Sequence, residues 1–133
     1  MNFLKQPDLG IFFARLGLGI MLLMHGIAKI LNGIGFIKNL ALKQGLPEFI
    51  TYGVYVGEVI APVLLILGIY TRVASAIVLA TCAAILYLFY LPNGDLFALS
   101  SNGGFKPEIV YLYISLGFCI LLNGSGKYAL KRD

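Results

Sequence analysis

Charge and chemically versatile side chains are scarce in this sequence. Only 12% of its 133 residues are Asp, Glu, Lys or Arg, against about a quarter in a soluble domain. There is one histidine, His25, which excludes bis-histidine haem ligation within one chain. The two cysteines, Cys82 and Cys119, stand singly in apolar runs with no Cys-x-x-Cys. That argues against thiol–disulfide exchange and leaves them as small apolar fillers. No Walker or dinucleotide-binding signature occurs, because the glycines of "GLGIMLLMHG" lie inside an apolar run and form no phosphate loop. No acidic partner for His25 sits beside a serine elbow, so the serine-hydrolase reading fails. No metal site is expected.

What remains is apolar. Hydrophobic residues make up 59% of the chain, and the mean hydropathy is +0.90. They fall into four blocks, about Leu9–Leu31, Phe49–Tyr70, Val73–Leu91 and Pro107–Asn123. A spanning helix needs roughly 20 mainly apolar residues. The first three blocks meet that length, and the fourth does so with its ends in the interface. The expected fold is therefore all-α: an integral membrane four-helix bundle in one domain covering residues 1–133, with both termini on the same side. The first apolar run starts late, carries Arg15 and His25, and lacks a small-x-small cleavage site, so it reads as a retained helix rather than a signal peptide.

Breakers separate the blocks. "YTR" (Tyr70–Arg72) is a tight turn that makes a hairpin of the second and third helices. "LPNGD" (Leu91–Asp95) closes the third, Pro107 suits the first turn of the fourth, and "NGSG" (Asn123–Gly126) ends it. Between the first two helices, Phe36–Leu42 reads as a short interfacial helix capped by Gly45. Lys5, Arg72, Lys127, Lys131 and Arg132 fall on the terminal side, and Lys38, Lys43 and Lys106 on the other, with Lys29 at its border. The excess favours cytoplasmic termini. The net charge of +4 reads as topology, since no soluble basic face for nucleic acid is visible. Gly53-x-x-x-Gly57, Ala76-x-x-x-Ala80-x-x-x-Ala84 and the glycines of the first helix have the spacing that lets helices approach closely in lipid. They also admit a homo-oligomer.

Charged groups at bilayer depth are costly and mark candidate sites. Arg15 and Lys29 lie roughly 21 Å apart along a helix axis. Centred in an apolar layer about 30 Å thick, both sit close enough to a boundary to snorkel. His25 lies one turn deeper than Lys29 and about 40° from it round the helix. On the second helix, Glu58 falls at similar depth to His25 and Lys29, so a cationic partner would keep that carboxylate ionised. Pro62 cannot donate to the Glu58 carbonyl, which frees a further acceptor and invites a local distortion. Glu108 opens the fourth helix on the same side. Tyr52, Tyr55, Tyr87, Tyr90, Tyr111 and Tyr113 crowd this half, either as an interfacial belt or as the lining of a pocket for a flat ring.

"RLGLGIMLLMHGIAKI", "GEVIAPVLLILGIYTRVASA", "LPNG", "GGFKPEIVYLYISL" and "GSGKYALKR" together resemble the DoxX family of small bacterial membrane proteins. The resembling positions are Arg15, His25-Gly26-x-x-Lys29, Gly57-Glu58, Gly68-x-x-Thr71-Arg72 and Glu108, in family order. Members resemble the small subunit of thiosulfate:quinone oxidoreductase, and others are linked to oxidative stress or sulfur metabolism. The resemblance implies redox association.

Two functional readings follow, and the sequence leaves open whether the chain catalyses anything. In the first, it is a membrane subunit of a redox system. It binds a quinone-like or other small ligand at the His25, Lys29 and Glu58 cluster, with Glu108 and Arg15 as further ligand-binding or proton-relay candidates; it holds no cofactor within the chain, a bound quinone being the one candidate, and takes electrons from a partner redox subunit or soluble enzyme. In the second, it is a small transporter or assembly scaffold, and the polar cluster is a structural network.

Overall fold

A computed structural model describes residues 5–33 and 55–133, with isolated positions at 35, 39, 42, 43, 45 and 53. The expected interfacial helix over Phe36–Leu42, the first residues of the second helix and Tyr52 fall largely or wholly outside the described residues. Regular structure among the described residues is helical. Helix α1 is Pro7–Asn32. A π-helical turn, Val56–Ile60, runs directly into α2, Ala61–Leu67. Helix α3 is Thr71–Ile85, prolonged by a second π-helical turn, Leu86–Tyr90, and α4 is Glu108–Asn123.

The helix ends follow local chemistry. Pro7 opens α1, where its fixed φ and missing N–H cost nothing. Asp8 in the first turn and Lys29 in the last complement the helix dipole. Helix α2 stops at Gly68, which takes the left-handed conformation (φ 78°) and returns its N–H to the Leu64 carbonyl at 2.8 Å; this is the usual role of a glycine after a helix. Tyr70 is also left-handed (φ 49°), so the reversal between α2 and α3 is complete before Thr71. The turn expected at Tyr70–Arg72 thus lies slightly earlier, at Gly68–Tyr70.

The helices form a closed ring in which α1 packs on α2 and α4, and α3 packs on α2 and α4. The core between them is small: Leu18, Leu22, Ala61, Leu65, Ala74, Val78, Cys82, Val110 and Ile120. Helix α3 buries Thr71, Ala74, Ser75, Val78 and Cys82, one face at helical spacing. The Ser75 hydroxyl donates to the Thr71 carbonyl at 2.8 Å and so carries no unmet polar group into the core. The Ala76, Ala80 and Ala84 stripe faces outward instead among the described residues. Close approach comes from other small residues. A side chain at Gly57 would collide with Thr81 of α3, and one at Gly26 would collide with the Glu58 backbone.

The outside of the ring is apolar, with Phe13, Met24, Leu31, Leu112 and Leu122 among the exposed side chains. Pro7–Leu31 in α1 is long and apolar enough to cross a membrane, whereas Gly57–Leu67, α3 and α4 are shorter apolar helices.

The segment after α4 folds back across the end of the bundle where α1 begins. Leu130 and Lys131 donate backbone hydrogen bonds to the carbonyls of Leu67 and Gly68 at 3.1 and 3.0 Å. The Lys127 N–H donates to Asp8 at 3.2 Å. Asp133 accepts from the Thr71 hydroxyl at 2.5 Å and from the Arg72 N–H at 3.0 Å. Burial pushes the Asp133 carboxyl up, but the donors of Arg72, Thr71 and Ser125 outweigh this and hold it below its ordinary value.

Candidate functional site

The polar residues of the sequence separate into two groups at opposite ends of the bundle. Arg15 belongs to the terminal end and does not snorkel. It is only 1% exposed, and its guanidinium donates to the carbonyls of Leu65 at 2.9 Å, Ser125 at 2.8 Å and Tyr128 at 2.7 Å. The ring of Phe12 lies 5.4 Å from the guanidinium carbon. The backbone around it explains the departure from the sequence expectation. Helix α2 ends here with free carbonyls, and the folded-back segment adds two more, so a five-donor fork finds better partners inside than at a surface.

The other group gathers at the far end, where α1 ends, α3 ends and α4 begins. Glu58 sits in the π-helical turn and is 2% exposed. Pro62, four residues on, has no N–H for the Glu58 carbonyl, and the chain meets this with the wider π geometry. Gly26 lets α1 approach that widened turn directly. Lys29, one turn further along α1, then reaches Glu58, with Nζ 2.5 Å from Oε2. This ion pair gives the buried carboxylate its cationic partner.

His25 does not pair with Glu58 among the described residues. Its ring stands edge-on to Tyr113 of α4, centroids 6.3 Å apart. The reason is helix phase: Gly26 is the residue turned to α2, and His25, about 100° round the helix, is turned to α4. The two still share one space. A cavity of about 280 Å³ is lined by His25, Lys29, Glu58, Tyr90, Lys106 and Tyr113 together with aliphatic side chains.

Glu108 is not part of it. Its carboxylate lies over Gly104 and is exposed, on the side of α4 away from Val110. Lys106 takes a place the sequence reading did not assign. The loop before α4 folds into a small hairpin, in which Lys106 donates its N–H to Ala98 at 2.8 Å and Ser100 donates to Gly104 at 2.7 Å. The Tyr111 hydroxyl ties the hairpin to α4 through the Leu96 carbonyl at 2.6 Å. The Lys106 ammonium is 3.5 Å from Asp95. The available signal was a lysine directly before Pro107, hence held at the mouth of a helix. Of the six tyrosines, Tyr90 and Tyr113 line the cavity, while Tyr87 is exposed.

Chemically, the cavity joins a carboxylate to two ammonium groups beside aromatic and aliphatic walls. It can hydrogen-bond oxygen atoms of a small ring, and its carboxylate can accept a proton from one.

The sequence profile of the DoxX family matches residues 10–91, the span that holds Arg15, His25, Lys29 and Glu58 but not Lys106 or Tyr113. A protein of Haemophilus influenzae described as uncharacterized is 33% identical over 130 residues, 97% of this chain and 93% of that protein. No solved structure matches the chain. By the profile match, which covers more than half of its length, the chain belongs to the DoxX family.

Proposed function

We propose that this chain is a multi-pass protein of the bacterial inner membrane, with cytoplasmic termini, that binds a small quinone-like ligand as the membrane subunit of a redox system linked to sulfur or oxidative-stress chemistry. The observation that carries the reading is the cavity of about 280 Å³ around the Lys29–Glu58 pair. Ligand pockets usually occupy roughly 300–1,000 Å³, so this one suits a single ring. A purely structural polar network, as in the scaffold or transporter reading, would instead close on itself in tight packing.

The apolar outer surface supports the membrane setting, since a water-soluble protein rarely exposes large apolar patches. The basic residues at the terminal end support the orientation. Lys29 and Lys106 would hydrogen-bond the ring oxygens of a bound quinone, and Glu58 would exchange one of its two protons, the other passing to or from water at the exposed Lys106 side. Quinone bound here would supply the two-electron chemistry, and a partner redox protein would exchange the electrons. The outward Ala76, Ala80 and Ala84 stripe suits a helix contact with that partner or with a second copy.

Purification in mild detergent followed by organic extraction and chromatography tests the reading. Wild type is expected to carry quinone and Glu58→Gln to lose it. Equal content in the variant removes Glu58 from the site, and wild type without quinone refutes the proposal.

A further inference from the structure

The cavity has an edge that the reading above does not use. Its lining includes two exposed residues from facing helices, His25 of α1 and Ile109 of α4. These helices pack directly on one another, and His25 meets Tyr113 across their seam. The cavity therefore reaches the outer surface along that seam.

The flanks of the seam are apolar. Met21, one turn before His25, is 58% exposed, Ile109 is 53% exposed and Leu112 is 61% exposed. Helical phase puts Met21 on the α4 side of α1, about 80° from Lys29, and Ile109 about 40° from Tyr113 on the same face of α4. The charged lining groups lie at the other edge, where Lys29 meets Glu58 and Lys106 meets Asp95 at the hairpin. The cavity thus joins a charged pair between α1 and the turn before α2 to a seam flanked by apolar side chains.

We infer that the ligand is a membrane-dissolved amphiphile that enters sideways between α1 and α4: its oxygen-bearing head lodges by Lys29 and Glu58, and an alkyl or isoprenoid tail leaves past His25 over Met21, Ile109 and Leu112. This rests on the ligand-binding reading and narrows it, because a water-soluble ligand of the same head chemistry would enter beside Lys106. His25 is the hinge of the argument: its polar ring marks where head gives way to tail, and its T-shaped contact with Tyr113 is the contact the tail must pass.

Photolabelling of the full chain in lipid nanodiscs tests it. The probe is a fully substituted benzoquinone with a decyl tail ending in a diazirine. Mass spectrometry maps the labels, and those suppressed by unlabelled decyl-benzoquinone are scored. The expected result is suppressible labelling on Met21, Met24, Ile109 or Leu112, lost in Ile109→Trp, a substitution at an exposed position whose unfolding temperature is checked in parallel. Suppressible labels on the hairpin or on the α2 and α3 surfaces overturn lateral entry while leaving the site standing. No suppressible label anywhere refutes the ligand reading itself, and lateral entry falls with it.

Discussion

Arg15→Ala should free the folded-back C-terminal segment. Three short hydrogen bonds run from the guanidinium to the carbonyls of Leu65, Ser125 and Tyr128, and a fourth contact to Ile66 is long at 3.4 Å. Hydrogen bonds to a charged group contribute roughly 1.5–3 kcal/mol each, and a carbonyl left unmet in the interior costs about 1–3 kcal/mol. These terms overlap, and water can enter at a bundle end, so the lower part of the range applies. We expect a loss of about 4 kcal/mol, equivalent to a roughly thousandfold change in an equilibrium. Arg15→Lys should recover little of it, since a point charge cannot span three carbonyls in fixed directions. The assay is amide hydrogen exchange in detergent, read at Leu130 and Lys131, whose N–H groups bond to Leu67 and Gly68. Protection there should fall sharply in both variants, while amides in the middle of α3 change far less. If Leu130 and Lys131 keep wild-type protection in Arg15→Ala, the guanidinium is not what secures this segment.

Three further outcomes follow from other contacts. Lys29→Met and Glu58→Gln should each destabilise the bundle, by up to roughly 3–5 kcal/mol where one partner of a buried pair is removed; the double variant should cost less than the two singles together, and thermal unfolding that shows simple additivity would disprove the coupling. Gly26→Ala should cost about 1–3 kcal/mol by overpacking because the new methyl meets the Glu58 backbone, so an unchanged unfolding temperature would mean that α1 and the π-helical turn are further apart. Asp133 has a folded-state carboxyl held below its ordinary value, so its contribution is present above the unfolded pKa near about 3.9 and is lost as pH falls through the lower folded value. Limited proteolysis of the segment after α4 should be the same at neutral and mildly acidic pH and increase only below that range, and Asp133→Asn should remove the acid-induced step.

The residues differ in how far their roles could be read in advance. The extents of α1, α3 and α4 were legible because apolar run length, Pro7, Pro107 and the Asn-Gly breakers act on the chain within a few residues. Glu58 was legible as a buried carboxylate needing a cation, and Lys29 supplies it. The pairing of His25 was not, since a rotation of one residue round α1 decides between α2 and α4. Arg15 was misread as a snorkelling side chain because its partners are backbone carbonyls, which carry no residue identity to be noticed. The place of Lys106 on the cavity lining was hidden for a similar reason: the hairpin that carries it is held by backbone bonds and by the aromatic contacts of Phe105 with Phe97 and Tyr111.

By itself, then, the sequence determined the helical class, the order of the helices among the described residues, and the height of each polar group along its helix. Those properties depend on local run length and on a fixed rise per residue. Only the tertiary structure decided which groups meet at a given height. That choice depends on helix rotation and separation, which are set by contacts far apart in the chain: the absent side chain of Gly26 against Glu58, that of Gly57 against Thr81, and the π-helical turn ahead of Pro62. Packing selects one rotation from several that the apolar pattern permits. It is that selection which sets Lys29 on Glu58 and turns His25 to the seam.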